Sequence, residues 1–263
     1  MIRSRHTQDT RRPRPARVFG AAAVALATLA ICAPSASAVR NGSTAPAGAA
    51  PYAVALFTAD GQQLCGGTLV TSTKVLTAAH CVMDVADPTG ITVVAARVDL
   101  TTSNGSTRKV TRARVHPRFV VGTLTYDAAV LELNRPLADK TLPIAGAKDD
   151  ALYTLGRKAT VYGWGKRDGG VPTTRQQRTT LVLSPPAACD PYTFPGDTTA
   201  TKVCGLPPAD NPGTSVCKGD SGGPLVAGGK LIGIVSSGNM YCSAEQPRSV
   251  FTRASAVTGE LGL

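Results

Sequence analysis

Three short segments, far apart in the chain, hold the residue types needed to make a nucleophile. Ser221 lies in Gly219-Asp220-Ser221-Gly222-Gly223-Pro224, His80 in Thr77-Ala78-Ala79-His80-Cys81, and Asp127 in Tyr126-Asp127-Ala128-Ala129-Val130. A serine hydroxyl attacks poorly at neutral pH. It needs a base within hydrogen-bond reach, and an imidazole base needs a carboxylate to fix its tautomer and stabilise the imidazolium. The three segments supply these parts in the order His, Asp, Ser. The glycines beside Ser221 have a separate use: a loop that offers two backbone N–H groups to a developing oxyanion must turn sharply and let substrate come close. Gly219 and Ser221 are placed to donate them. Each residue alone has a plainer reading. An isolated Asp127 reads as a turn or capping residue, and His116, before Pro117, as a structural turn.

Groups of this kind need a rigid frame, and the composition points to strands. Of 263 residues, 43% are hydrophobic and 17% charged, which excludes a disordered polyelectrolyte and a polytopic membrane protein. Gly 27 and Pro 19 against 5% aromatics favour many short strands and turns over long helices. Runs rich in Val, Ile, Leu and Thr recur at 52–58, 64–70, 91–98, 109–115 and 128–133, then at 159–164, 179–183, 224–226 and 231–236. Such spacing predicts an all-β sandwich or barrel. Gly228-Gly229, between two apolar runs, predicts a hairpin turn. Residues 134–145, with Pro136 and Pro143, are expected to connect two halves, and residues 254–263 to make one or two helical turns.

The first 38 residues read as an address. Six arginines precede residue 18, offset there by Asp9 alone, so this stretch carries +5 of the +11 net charge and no nucleic-acid partner is implied. An uncharged run from Val18 to Cys32 follows, then Ala36-Ser37-Ala38. The run is shorter than the roughly 20 apolar residues of a membrane span and fits a secretory signal peptide cleaved after Ala38. The mature chain then keeps Cys65, Cys81, Cys189, Cys204, Cys217 and Cys242, an even set in an oxidising setting, for which disulfides are the default reading. Zinc is the competing reading. No C-x₂-C pair occurs, and His80 and His116 are the only mature histidines, so no metal is expected.

Together GDSGGP, TAAHC, the intervening DAAVLEL segment and Gly163-Trp164-Gly165 make residues 39–263 resemble the chymotrypsin/trypsin family of serine peptidases. The resemblance implies two packed six-stranded antiparallel β-barrels with a short C-terminal helix, residues 39–145 forming the first barrel and 146–263 the second. It implies the roles of His80, Asp127 and Ser221 as base, orienting carboxylate and nucleophile, and of Gly219 and Ser221 as oxyanion donors. Cys65 is then expected to pair with Cys81, Cys189 with Cys204, and Cys217 with Cys242. Val39, exposed by removal of the leader, is expected to carry the ammonium that pairs with Asp220. Ser236, Ser237 and Gly238 resemble the strand that binds substrate backbone, with Ser236 also supporting Asp127.

The implied activity is that of a secreted endopeptidase without a cofactor. Its partners are protein or peptide substrates and protein inhibitors of peptidases; it is expected to be a monomer with no membrane attachment after leader removal. In the family the residue six before the nucleophile sits at the base of the specificity pocket, and here it is Ser215, neutral where trypsin-like members hold an aspartate. With Gly238 at the entrance and Ser249 narrowing the opposite wall, apolar residues of medium to large size are expected before the scissile bond. A smaller residue, or an acidic one if Arg248 turns inward, are the competing readings. The loop 101–108 lacks carboxylates, so no calcium site is expected there. Two other functions are weighed: a silent binding or adhesion protein on the same scaffold, and a general esterase, which would need a G-x-S-x-G elbow in an α/β context.

Overall fold

Apolar strands of four to ten residues cannot bury themselves singly, and here they close on one another. The structure, a computed structural model, describes residues 1–2, 39–167 and 170–263. The expected signal peptide lies outside the described residues. In the first half, β2 (Ala53–Phe57), β3 (Gln63–Thr71), β4 (Lys74–Thr77), β5 (Thr92–Ala95), β6 (Ser106–Val115) and β7 (Ala129–Leu133) pair antiparallel in the order β2-β3-β4-β7-β6-β5 and form a closed barrel. Val54, Leu56, Leu69, Leu76 and Leu131 fill it, all fully buried.

The second half repeats the plan. It comprises β8 (Lys158–Gly163), β9 (Gln177–Ser184), β10 (Lys202–Leu206), β11 (Pro224–Ala227), β12 (Lys230–Gly238) and β13 (Ser249–Arg253), in the order β9-β10-β13-β12-β11-β8. A further β8–β9 pairing, Thr160 opposite Thr180, closes the ring. Along β9 burial alternates residue by residue, so Leu181 and Leu183 point inward onto Val161, Leu225, Ile232 and Phe251. The short β1 (Ser43–Thr44) precedes the first barrel in sequence yet pairs with β9 of the second, Ser43 opposite Arg178. Residues 39–263 thus hold two closed six-stranded antiparallel barrels, which leave few free sheet edges.

Tyr52 and Tyr162 meet edge to face at 6.3 Å where the barrels pack together. Gly228 and Gly229 both have left-handed φ and turn β11 into β12 as expected. The predicted C-terminal turns are a 3-10 turn at Ala254–Ala256 and the four-residue α1 (Thr258–Leu261), ended by Gly262 with φ 67°. Three disulfides, Cys65–Cys81, Cys189–Cys204 and Cys217–Cys242, close loops of 16, 15 and 25 residues. Each loop closure of this size stabilises by about 3 kcal/mol in the chain-entropy picture. No helix among the described residues is long and apolar enough to cross a membrane.

Candidate active site

His80 stands on the 3-10 turn Ala79–Cys81 that follows β4, and Cys81 is tied by its disulfide to Cys65 on β3. Asp127 sits just before β7 and is completely buried. A buried carboxylate needs donors for its lone pairs, and Asp127 has three. Its Oδ1 accepts the backbone N–H of His80 at 2.9 Å, and its Oδ2 meets His80 Nδ1 at 2.7 Å and accepts the Ser236 hydroxyl at 2.7 Å. Ser236 is on β12, so this one carboxylate joins the two barrels. Holding Nδ1–H against Asp127 leaves Nε2 as the lone-pair nitrogen, the tautomer a general base requires.

Ser221 lies in the turn before β11, held from three sides. Gly66 N–H on β3 donates to the Ser221 carbonyl at 2.7 Å, Gly222 N–H to Val235 at 2.8 Å, and Val235 N–H to Gly223 at 3.0 Å. Only glycine fits at 222: its φ is 79°, and a Cβ there would lie 2.2 Å from Thr77 Oγ1. Among the described residues neither the Gly219 nor the Ser221 N–H has a backbone acceptor. Neither N–H is spent on the backbone.

His80 and Ser221 line one cavity of about 230 Å³, together with Ser236, Ser237 and Gly238 of β12. Val216, Cys217 and Val235 make its walls apolar, and no carboxylate lines it among the described residues. Ser215 and Ser249 do not line it. Both are fully buried behind it, where Ser249 Oγ accepts the Val216 N–H at 3.0 Å and the Ser215 hydroxyl has no partner among the described residues. Ser249 therefore shapes the cavity through the backbone of its neighbour. Arg248 also stays off the lining; its charge acts on Tyr192.

Asp220 explains Gly163-Trp164-Gly165. Its fully buried carboxylate accepts Gly165 N–H at 2.8 Å and Cys217 N–H at 2.9 Å. A Cβ on Gly163 would fall 2.1 Å from Asp220 Oδ1, and one on Gly165 2.5 Å from Cγ. Burial pushes the carboxyl up to about 7, against the pull of its two backbone donors. Within the full-length chain Val39 contributes a peptide nitrogen and no ammonium. Its side chain is already fully buried in the core of the second barrel, and its carbonyl accepts Gly42 N–H at 2.7 Å. The residues after it are held in place: Arg40 donates to the carbonyls of Cys242, at 3.1 Å, and Gly213, and Asn41 takes φ 52°.

One trio of metal-ligating residue types gathers among the described residues, Cys65, His80 and Cys81, and two of its sulfurs are joined in a disulfide. The sequence motifs leave out Leu124, which also lines the cavity, and Lys202, whose ammonium donates to the Leu124 carbonyl. No motif marks either one.

The family model described as Trypsin matches residues 39–259. A protein named Trypsin from Saccharopolyspora erythraea is 38% identical over 78% of this chain and 88% of its own length. Serine protease SP24D from Anopheles gambiae is 34% identical over 79% of this chain and 74% of its own, and Trypsin delta from Drosophila erecta 31% over 71% and 73%. A silent binding protein is not favoured in such company.

Proposed function

Since the chain belongs to the trypsin family and is a serine endopeptidase, we propose that Ser221 is its nucleophile, His80 its general base and Asp127 the carboxylate that orients the base. The observation that carries this reading is the fully buried Asp127 carboxylate gripping both N–H groups of His80, on the rim of the cavity that holds Ser221. Ser221 Oγ attacks the scissile carbonyl carbon as its proton passes to His80 Nε2. The oxyanion is received by the N–H groups of Gly219 and Ser221. Collapse expels the amine, which takes the proton from His80 and leaves an acyl-enzyme. Water, deprotonated by His80, then releases the acid and restores Ser221.

The apolar cavity without a carboxylate supports cleavage after medium to large apolar residues, because nothing there offsets the desolvation of a cationic side chain. Residues 1–38 act as a signal peptide, the two barrels divide near residue 145, and the product is an extracellular monomer that meets protein substrates and inhibitors. Cleavage after Ala38 frees the Val39 ammonium to pair with Asp220 and order the oxyanion loop. A fluorophosphonate probe tests the mechanism: it labels Ser221 and abolishes casein hydrolysis in step. Correctly processed, folded protein that takes up no probe refutes it.

A further inference from the structure

Lys202 on β10 is a buried cation that the catalytic scheme leaves unused. It is 2% exposed, and its ammonium donates to the Leu124 carbonyl at 2.6 Å. Leu124 lies between β6 and β7 and lines the cavity shared by His80 and Ser221. Its φ is 51°, a left-handed conformation unfavourable for any residue with a Cβ. Such conformations persist only where the surroundings over-determine them. Within the loop the restraints are local: the bridge from Val120 to Thr125 and the contact of the Thr123 and Thr125 hydroxyls at 2.8 Å. Lys202 adds a tie from the second barrel.

The chemistry of that tie is unusual. Burying an ammonium costs several kcal/mol unless opposite charge is near. The charges of Asp197, in the loop before β10, and of Asp127, in the loop before β7, favour the ammonium and oppose the effect of burial. The cation is therefore balanced in part by the same carboxylate that holds His80. A neutral side chain of similar length would fill the space without that cost.

We propose that Lys202 is a positioning residue for substrate binding: its ammonium holds the Leu124 carbonyl so that Leu124 forms part of the wall against which an extended peptide, laid along Ser236–Gly238, is gripped. This deepens the peptidase reading and rests on it.

The test compares wild type with Lys202→Met, Lys202→Arg and Leu124→Ala, each standardised by fluorophosphonate titration of Ser221. Two substrates share one residue before the scissile bond, a single-residue ester and a tetrapeptide anilide extending on the acyl side. Lys202→Met should raise KM for the tetrapeptide about tenfold with kcat changed less than about threefold, while kcat/KM for the ester falls by about twofold. Lys202→Arg, which keeps a charged donor, should recover most of the loss. Leu124→Ala should show the same split, and the double variant should be no worse than Leu124→Ala alone. Should Lys202→Met not fold, Lys202→Leu, also neutral and without a donor, takes its place under the same KM criterion. Equal losses on both substrates, no change on either, or additive effects in the double variant would overturn the proposal. A wild-type protein that takes up no probe overturns the peptidase reading, and this one with it.

Discussion

Replacing Asp220 by asparagine should change stability in opposite directions before and after the bond between Ala38 and Val39 is cut. In the uncut chain the Asp220 carboxyl is fully buried and held up at about 7 against an ordinary 3.8. That gap corresponds to about 4 kcal/mol between the two protonation states. The sign follows from proton counting: the native state keeps the proton that the unfolded chain has already lost. Stability from this group is full below about 3.8 and declines by about 1.4 kcal/mol per pH unit until the pH passes about 7. The Asp220→Asn change removes that slope. It also leaves one oxygen for the two N–H donors of Gly165 and Cys217, a loss of about 1–3 kcal/mol. At pH 8 the uncut variant should therefore be about 1–3 kcal/mol more stable than its parent. On the proposed pairing of the Val39 ammonium with the carboxylate in the cut chain, removing one partner costs about 3–5 kcal/mol. The assay is urea unfolding at pH 5 and pH 8 of two chains, one starting at Val39 and one retaining Ala36-Ser37-Ala38, each with and without Asp220→Asn, all carrying Ser221→Ala to prevent autolysis. Equal destabilisation in both chains at both pH values would refute the reasoning.

Asp127→Asn should lower kcat by about 10⁴-fold with KM little changed, since it disturbs the His80 tautomer and leaves the cavity intact; stopped-flow acylation of a peptide ester checks it, and a loss under tenfold counts against the assigned role. Chromogenic peptides differing only before the scissile bond should give highest kcat/KM for Leu, Met, Phe or Tyr, whereas a maximum at Arg or Lys would show that the apolar cavity does not set the preference. Millimolar calcium should leave the melting temperature unchanged, because the 101–108 loop offers no carboxylate and its Asn104 and Ser103 carbonyls already accept the Arg97 guanidinium; a rise of several degrees would contradict this. Sequencing of the active secreted protein should start at Val39, and any other start refutes direct activation by leader removal.

Much of this protein was legible in the chain alone because its informative features are local. GDSGGP and TAAHC need glycines, a hydroxyl and an imidazole at fixed spacing, and runs such as Leu64–Val70 announce strands through their own β-branched and apolar content. The turn at Gly228-Gly229 was readable for the same reason, since a left-handed pair is a property of the residues themselves. β4, β10 and β13 were not anticipated: Lys74–Thr77, Lys202–Leu206 and Ser249–Arg253 are short and carry lysine, glycine or serine, and only pairing with neighbours on both sides makes them strands. Tertiary structure alone set Ser215 and Ser249 behind the cavity wall, brought Ser236 of one barrel onto Asp127 of the other, and placed a buried Lys202 against Leu124. Each of these depends on contacts between residues some tens to more than a hundred positions apart. Hydrophobic period and turn chemistry report only on near neighbours, so where a buried hydroxyl, carboxylate or ammonium finds its partner is decided when the two barrels close and pack.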